Sequence, residues 1–436
     1  MNTRRFVALC ALSAALCILC TTWAGGPLSP PAGPVADTPG PEPRIAIQSL
    51  PGDASALHII SQPGSYYLEG NIKANSAIAS NGILVNADGP VTIDGRGFSM
   101  TGMQGDGAAI LIGLLQNGLV VIANVEIEGW DYGIQVAQGA RTHTYGNITL
   151  KRGYISESSV NGILAVDSVV NIDESTIQGC GQDGVVLGDH SFIADSFFNN
   201  NGRYGVWTAN EMVLKGSKIK ENFVGAVWTG TDAVIQDCLM DGTVRAGNCS
   251  LLQRCDLELR VDDSNFIPVD LFGGDHRLFD NHFDITGSNS NALPAVQVSG
   301  DNVVAQRNIF NIHLVGAAGS ASTRNPPHFT SWDGTRHHVT HNTFSGFWVG
   351  TEAIQANGAF HRYEHNYFAA GDGAAAGIIG NASQSMFVGN SFFNLPAGEV
   401  VVVTGADNYL APVRTQTTAV TTPHPQMNVV IEPRVP

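Results

Sequence analysis

Residues 204–241 read YGVWTANEMVLKGSKIKENFVGAVWTGTDAVIQDCLMD, and one short pattern occurs twice within them. The triplet Val206-Trp207-Thr208 returns as Val227-Trp228-Thr229, 21 residues later. Each copy is followed by a second apolar segment, and then by a polar residue two positions before a large apolar one. A repeat this short cannot bury its apolar face alone, so its copies must stack on one another to form a continuous core.

The same three-part repeat extends in both directions from this stretch. Its first segment, a Gly followed by alternating apolar residues, recurs at spacings of 20 to 29 residues between Gly82 and Gly225. Asn tolerates left-handed backbone, bonds to the main chain, and can bond to other stacked amides. A column of Asn two positions before Phe therefore predicts a ladder of side chains at a tight corner. Its members are Asn281, Asn308, Asn342, Asn366 and Asn390.

These repeats predict an all-β protein, a parallel β-helix solenoid of about 13 coils with three short strands in each. Coils stacked about 4.8 Å apart would satisfy the backbone between neighbours. Residues 45–68 are predicted to form an N-terminal cap. Leucine-rich repeats are the main alternative solenoid, but their LxxLxL consensus is absent. Charged residues make up only 14% of the chain, too few for the wet faces of a helical bundle.

The repeats resemble the right-handed parallel β-helix proteins of the pectate-lyase-like superfamily, especially its exported bacterial members. The segments Ile60-Ser61-Gln62-Pro63-Gly64-Ser65-Tyr66-Tyr67-Leu68 and Gly70-Asn71-Ile72 are similar to the first strands of such proteins. The resemblance implies a right-handed solenoid. It implies less about function, because this superfamily includes lyases, hydrolases, epimerases and tail-spike adhesins. The NTD, DD, GHG and RIK motifs of polygalacturonases are absent as a set, which disfavours a pectin-degrading enzyme.

The N-terminal 24 residues have the features of a secretory signal. They contain Arg4 and Arg5, a short apolar run, and the small-x-small site Thr22-Trp23-Ala24. We therefore expect a secreted, periplasmic or cell-surface protein. No later segment is apolar enough for an integral membrane span.

Three further regions follow the signal. Residues 25–43 are rich in Pro and Gly and predict an extended linker. The β-helix domain is predicted over 44–411, and 412–436 are predicted to form a C-terminal tail or cap. The oligomeric state remains open.

The charge of the chain limits its partners. The formal net charge is −16, and loss of the basic signal makes the mature chain more acidic. An acidic surface repels phosphates, so we expect no nucleic acid partner. Acidic uronate polymers are disfavoured for the same reason unless a local basic patch exists.

Four cysteines remain after the signal: Cys180, Cys238, Cys249 and Cys255. Cys238 and Cys255 fall near the same corner of adjacent coils, within the reach of a disulfide. We predict at most one disulfide, between Cys238 and either Cys255 or Cys249, and a free Cys180.

Strand alternation predicts an outward-facing column on the first strand of each coil. This column is predicted to carry no charge: Leu84, Leu111, Gln135, Leu164, Val186, Trp207, Trp228, Gln297, Gln355 and Ile379. Trp207 and Trp228 should lie one coil apart, and their large rigid rings could stack on sugars. The alternative is that a turn or an insertion covers them. We predict Trp207, Trp228, Gln135 and Trp332 as ligand-binding residues.

The longest interruption of the repeat, between Phe310 and Phe344, provides the candidate catalytic residues. Insertions in solenoids tend to lie on the functional face, and this one contains His328, Asp333 and Arg336. These three could form an acid–base site. Nearby histidines could also ligate a metal, namely His338, His341, His361 and His365. A surface column of stacked imidazoles explains the histidines more simply, so we predict no metal and no cofactor.

Three hypotheses about function follow. The first is an exported β-helix protein that binds a polysaccharide or surface glycan along the tryptophan face without catalysis. The second is a polysaccharide lyase or glycoside hydrolase that acts on an extracellular polymer through His328, Asp333 and Arg336. The third is a structural cell-surface module that acts only as a rigid rod.

Overall fold

The protein was examined as a computed structural model. It describes residues 44–74, 80–113, 118–137, 147–261, 267–287, 296–314, 330–348, 352–370, 376–393, 401–403, 405, 407–410, 414–415 and 429–430. Residues from Arg44 onward form one compact unit. In these ranges the regular structure is β-strand apart from the 3-10 turn Ile47–Ser49, and the strands form three parallel sheets. The predicted all-β parallel solenoid is thereby confirmed.

Each coil contributes one strand to each sheet, in the order sheet 1, sheet 2, sheet 3. The strands of sheet 1 are Ala56–Ile60, Asn81–Val85, Ala108–Ile112, Tyr132–Val136, Asn161–Ala165, Val185–Leu187, Tyr204–Thr208, Gly225–Thr229, Val244–Ala246, Val269–Leu271, Val296–Ser299, Thr330–Thr335, Glu352–Ala359, Ala376–Gly380 and Val401–Val403. The short strand Ala382–Ser383 also pairs with Glu352–Ala359.

Sheets 2 and 3 complete each coil. The strands of sheet 2 are Ile45–Ala46, Gly64–Tyr67, Val91–Asp94, Leu119–Ala123, Asn147–Lys151, Val169–Asp173, Phe192–Ala194, Val213–Lys215, Val234–Gln236, Leu251–Gln253, Arg277–Phe279, Val304–Gln306, His338–Thr340, Arg362–Glu364, Met386–Val388, Tyr409–Leu410 and Val429–Val430. Those of sheet 3 are Ile72–Lys73, Ser99–Thr101, Glu126–Glu128, Tyr154–Ser156, Thr176–Gln178, Phe197–Asn199, Lys218–Lys220, Leu239–Asp241, Asp256–Val261, His282–Gly287, Ile309–Leu314, Thr343–Trp348, Tyr367–Ala370, Ser391–Phe393 and Arg414–Thr415.

The ends of the solenoid are built from the same elements. The predicted N-terminal cap, 45–68, supplies the first strands of sheets 1 and 2 and the 3-10 turn, with Ile47 buried. Within the predicted tail, 412–436, the structure describes Arg414–Thr415 and Val429–Val430, which extend sheets 3 and 2. The tail thus continues the stacking over the residues that are described.

The core consists of columns of like residues stacked from coil to coil. The clearest is on sheet 3, where five fully or almost fully buried Phe rings lie parallel: Phe283, Phe310, Phe344, Phe368 and Phe392. Successive ring centroids are 4.6, 4.7, 4.8 and 4.6 Å apart. Each such pair contributes about 0.5–1.5 kcal/mol beyond the apolar area that it buries. The stack also fixes the register of the coils that carry the outer surface.

The corner between sheets 2 and 3 holds the predicted Asn ladder. Asn342 Oδ1 accepts hydrogen bonds from the backbone N–H of Asn308 (2.9 Å) and from its Nδ2 (2.9 Å). Asn342 Nδ2 donates to the carbonyl oxygen of Ala305 (3.0 Å) and to Asn366 Oδ1 (3.0 Å). Asn281 and Asn366 bond in the same way to the next coil. The ladder prediction is confirmed, and each amide satisfies buried backbone groups that the corner removes from the sheets.

Cysteines occupy the same corner position in two earlier coils. Cys238 and Cys255 are buried, and all four cysteines of the described chain are free thiols, so the predicted disulfide is not present. The Cys238 thiol donates to the carbonyl oxygen of Gln236 (3.1 Å), as the Ser217 hydroxyl does to that of Lys215 (3.0 Å). The thiol of Cys238 therefore makes the same hydrogen bond at this corner that the hydroxyl of Ser217 makes in the preceding coil. Cys180 is free, as predicted.

Candidate functional site

Sheet 1 carries a row of outward side chains that differs in character from the rest of that sheet. Backbone pairing places Val186 beside Trp207 and Trp207 beside Trp228. Trp228 then pairs with Arg245, Arg245 with Asp270, and Asp270 with Gln297. We call the row Trp207, Trp228, Arg245, Asp270 and Gln297 the aromatic–polar row. Four steps between coils give it a length of about 19 Å.

The two tryptophans form a rigid platform. Their ring centroids are 4.7 Å apart with an interplanar angle of 2°, and both side chains are partly exposed. The faces that meet are covered by each other, and the exposed remainder of each side chain is open to contact with a ligand. No hydrogen bond of either indole N–H is found among the described residues. Trp207 and Trp228 thus combine apolar contact area with two donors, which suits a ligand that has both C–H and hydroxyl groups.

An arginine–aspartate pair follows directly after the tryptophans. Arg245 donates from Nε (3.2 Å) and from Nη2 (2.9 Å) to Asp270 Oδ2. The guanidinium carbon lies 6.0 Å from the centroid of the Phe272 ring, whose side chain is partly exposed. Asp270 therefore holds the guanidinium in one place on the surface, and the Phe272 ring lies nearby. The pair offers donors and an acceptor side by side at nearly zero net charge.

The prediction that this row carries no charge is wrong, because Arg245 and Asp270 occupy two of its positions. Both strands that hold them have only three residues, Val244–Ala246 and Val269–Leu271, and neither begins with the Gly that marks other repeats. Because polar turns flank these short strands, the repeat pattern is difficult to recognise in the sequence. Alternation around Val244-Arg245-Ala246 and Val269-Asp270-Leu271 is the signal that could have found them.

Two of the predicted ligand-binding residues lie elsewhere. Gln135 is partly exposed in the same outward column, paired with Leu111 and Leu164, and is three coils from Trp207. Trp332 is fully buried and its ring makes an edge contact with His337 at 5.9 Å. The prediction of Trp332 as a surface contact is therefore wrong. The backbone of the preceding residue, Ser331, pairs with that of Gln297.

The three predicted catalytic residues are only partly covered by the structure. His328 lies outside the described residues. Asp333 is half-buried on sheet 1, where its Oδ1 accepts a hydrogen bond from Asn357 Nδ2 (2.8 Å). Arg336 is exposed at the corner after that strand, in left-handed backbone with φ of 59°. The catalytic role of this set remains a prediction.

The histidines considered as metal ligands do not form a common site. His341 and His365 are neighbours in adjacent coils, as predicted, with ring centroids 5.2 Å apart. His361 is instead fully buried and stacked on His337, and His338 contacts the Glu364 carboxylate (3.4 Å). Across the described ranges, no group of three or more His, Cys, Asp or Glu side chains is arranged to hold a metal ion.

Sheet 3 carries a row of carboxylates that the sequence patterns did not reveal. Asp241 pairs with Glu258, and Glu258 with Asp284, so the backbones that carry these carboxylates are about 4.8 Å apart. Burial raises the pKa of Asp241, an effect that Arg260 opposes. Glu258 Oε2 contacts Lys220 Nζ at 3.4 Å. We call Asp241, Glu258 and Asp284 the acidic row.

A histidine is held in a fixed orientation beside the acidic row. His282 Nδ1 lies 3.0 Å from Asp256 Oδ1, and its Nε2 lies 2.9 Å from Asn311 Nδ2. Asn311 in turn accepts a hydrogen bond from the Ser345 hydroxyl at 2.8 Å. These contacts restrain the imidazole on both sides, which favours a structural role for it.

The fold and the outer row together define a parallel β-helix with an exposed aromatic and polar surface. Residues 108–266, which include most of the aromatic–polar row, match the family model described as the right-handed β-helix region. The three parallel sheets give the described chain the fold of a right-handed parallel β-helix. No curated protein matches the sequence. In the described part of the chain, no helix has the length and apolar character needed to cross a membrane.

Several solved structures are similar to this chain. The A-module of the Azotobacter vinelandii mannuronan C-5 epimerase AlgE6 is 13% identical, with 86% of this chain and 100% of that chain covered and a TM-score of 0.35. The periplasmic alginate epimerase AlgG is 12% identical over 85% and 77%, also at 0.35. A tailspike protein of E. coli bacteriophage HK620, in complex with a pentasaccharide, is 10% identical over 89% and 78%, again at 0.35. At these values the similarity concerns the fold alone.

Proposed function

We propose that the protein binds a polysaccharide or surface glycan along the aromatic–polar row, without catalysis, outside the cytoplasm. The observation that carries the proposal is the parallel Trp207–Trp228 pair, partly exposed and directly beside Arg245 and Asp270 on a regular sheet. The solenoid core needs none of these side chains, because they point away from it. Aromatic rings next to paired polar groups match the alternating apolar and hydroxylated surfaces of a sugar chain.

The geometry of the row favours binding over turnover. Its one described carboxylate, Asp270, is held by Arg245 through two hydrogen bonds to the same oxygen. A second carboxylate at the distance that glycosidases use, about 5–9.5 Å, would have to come from a neighbouring position of the row. Those neighbours in the described chain are Arg245 and the amide of Gln297.

Replacement of one tryptophan tests the proposal. We expect Trp228→Ala to weaken binding to the recognised glycan by about tenfold or more, because it removes half of the platform and about 1.4 kcal/mol or more of contact free energy. Binding would be measured on a glycan array, followed by titration calorimetry with the polymer that is found.

The matched control is an exposed aromatic on another face. Phe192, on sheet 2, has 39% of its surface exposed, and Phe192→Ala should leave affinity unchanged. Equal weakening by both variants would contradict the assignment of the site to sheet 1, and so would full binding by Trp228→Ala.

The acidic row on sheet 3 is the observation that supports a second candidate function, an enzyme that cleaves a polysaccharide. Acid–base pairs consist of two neighbouring carboxyl groups whose environments differ, and Asp241, whose pKa is raised by burial, pairs with Glu258 in the adjacent coil. The binding proposal expects no release of reducing or unsaturated sugars from the bound polymer. Release that is lost in Glu258→Gln would replace the binding proposal by a lyase or hydrolase acting at sheet 3.

A further inference from the structure

The Arg245–Asp270 pair bears on which glycans the site can accept, an inference that rests on the proposed function. Arg245 is the one cation of the aromatic–polar row, and 37% of its side chain is exposed. Asp270 lies one coil farther along with its side chain 15% exposed. Because Asp270 Oδ2 takes both hydrogen bonds from Arg245, the positive charge is neutralised where a ligand would meet it.

A second arginine at the edge of sheet 1 is neutralised in the same way. Arg203 directly precedes the strand that holds Trp207, and its Nη1 lies 3.3 Å from Asp183 Oδ2. Asp183 is anchored further by the backbone N–H of Tyr204, which donates to its Oδ1 (3.0 Å). Both cations described beside the tryptophans therefore have a dedicated aspartate.

The unused atoms of the central pair suit hydroxyl groups. Both hydrogen bonds from Arg245 go to Asp270 Oδ2, and no partner of Oδ1 is found in the ranges that the structure describes. Oδ1 can therefore accept a hydrogen bond from a ligand, while Nη1 of Arg245 can donate one. A donor and an acceptor side by side match two neighbouring sugar hydroxyls, whereas a uronate carboxylate next to Asp270 would meet a like charge.

We propose that Arg245 and Asp270 act together as a specificity element that selects neutral glycans and rejects polyuronates. Arg245 on its own would attract a uronate carboxylate, since guanidinium groups bind carboxylates in a bidentate manner. Asp270 prevents this by occupying the guanidinium and by adding a negative charge. The Phe272 ring lies beside the guanidinium, with its centroid 6.0 Å from the guanidinium carbon.

The test compares binding of two polymers, a neutral glucan or mannan and polygalacturonate, to wild type and to Asp270→Asn. The variant leaves Arg245 without its counter-charge while the size of the side chain is unchanged. We expect wild type to prefer the neutral polymer and Asp270→Asn to shift the ratio of affinities toward polygalacturonate by about threefold to fivefold. The gain should disappear at 0.5 M salt, because it is a surface charge effect.

The double variant Arg245→Gln, Asp270→Asn provides the control. It removes both charges, so the gain in polygalacturonate binding should be lost, and unchanged melting temperatures would show that all variants are folded. Stronger binding of polygalacturonate than of neutral polymer by wild type would overturn the inference. So would an unchanged ratio in Asp270→Asn; if binding still depends on Trp228 in that case, the proposed function stands and only the selectivity is wrong.

Discussion

Two inner corners of the same solenoid differ in the side chains that supply hydrogen bonds to buried backbone groups. The amide corner, between sheets 2 and 3, repeats Asn in five consecutive coils, and each of Asn281, Asn308, Asn342 and Asn366 passes its hydrogen bonds to the next. The imidazole corner, between sheets 1 and 2, holds an irregular column at the equivalent inner position. Its members are His276, Val303, His337, His361 and Ser385, all fully or almost fully buried.

At the imidazole corner, only some of the buried polar atoms have hydrogen-bond partners. His361 Nδ1 accepts the backbone N–H of His337 (3.3 Å), and its Nε2 donates to the carbonyl oxygen of Asn357 (3.0 Å). His361 thus does what a ladder Asn does, provided that it stays neutral. Neither ring nitrogen of His276 or His337 reaches a hydrogen-bond partner of acceptable geometry in the described chain. An amide repeated in register supplies a donor and an acceptor at every step, whereas a mixed column leaves polar atoms buried without partners.

The largest expected effect comes from breaking the amide corner. Asn342→Ala removes the acceptor of two Asn308 N–H groups and the donor to the carbonyl oxygen of Ala305. Since each of these three buried groups left unsatisfied costs about 1–3 kcal/mol, we expect a loss of about 3–9 kcal/mol in the free energy of unfolding. Equilibrium unfolding in urea would measure it.

A second asparagine provides the comparison for that variant. Asn311 also makes two side-chain hydrogen bonds, with His282 and Ser345, but on the outer face of sheet 3. Water can replace those partners, so Asn311→Ala should cost less than about 1.5 kcal/mol. Equal losses of unfolding free energy in the two variants would show that the hydrogen bonds of the amide corner stabilise the protein no more than those on the surface.

The imidazole corner should make the protein sensitive to acid. Burial and the neighbouring His361 together lower the pKa of His337 from its ordinary value of 6.5 to about 3, while the backbone of Asp333 and the charge of Asp301 act in the opposite direction. Between these two pKa values the unfolded chain binds a proton that the folded chain does not. The contribution of His337 to stability is therefore complete above pH 6.5 and is lost as the pH falls from 6.5 toward 3.

A single variant isolates this contribution. From pH 7 to pH 5, His337 should remove about 2 kcal/mol from the free energy of unfolding. His337→Leu should abolish that part of the pH dependence, and should change stability at pH 7 by less than about 1.5 kcal/mol because the imidazole nitrogens make no hydrogen bond of good geometry that would be lost. If the pH dependence of His337→Leu equals that of wild type, the imidazole is already hydrated or protonated in the folded protein.

The two corners also show what can be predicted from the sequence. Asn ahead of Phe at a fixed phase identifies the amide corner, because one residue type meets every requirement of that position and is repeated. The imidazole corner shows no such repetition. The same limit applies to the site, where Trp207 and Trp228 stand out as a repeated triplet and Arg245 and Asp270 do not.

Insertions set a further limit. Trp332 follows a long interruption, and a one-residue error in phase exchanges the inner and outer faces of a strand. The structure accordingly puts Trp332 in the core, while the backbone of Ser331 pairs with that of Gln297. No count along the sequence could settle this choice, since the length of the preceding loop does not fix where the strand begins.

The smallest expected effect comes from exchanging one hydrogen-bonding atom for another in the amide corner. Cys238 takes the ladder position in its coil, and its thiol bonds to the carbonyl oxygen of Gln236, as serine hydroxyls do in neighbouring coils. Cys238→Ser keeps a donor and an acceptor at that point, so we expect a change in the free energy of unfolding below about 1 kcal/mol. A loss as large as that of Asn342→Ala would mean that the corner depends on the packing of sulfur, and that the chain of hydrogen bonds is not what stabilises it.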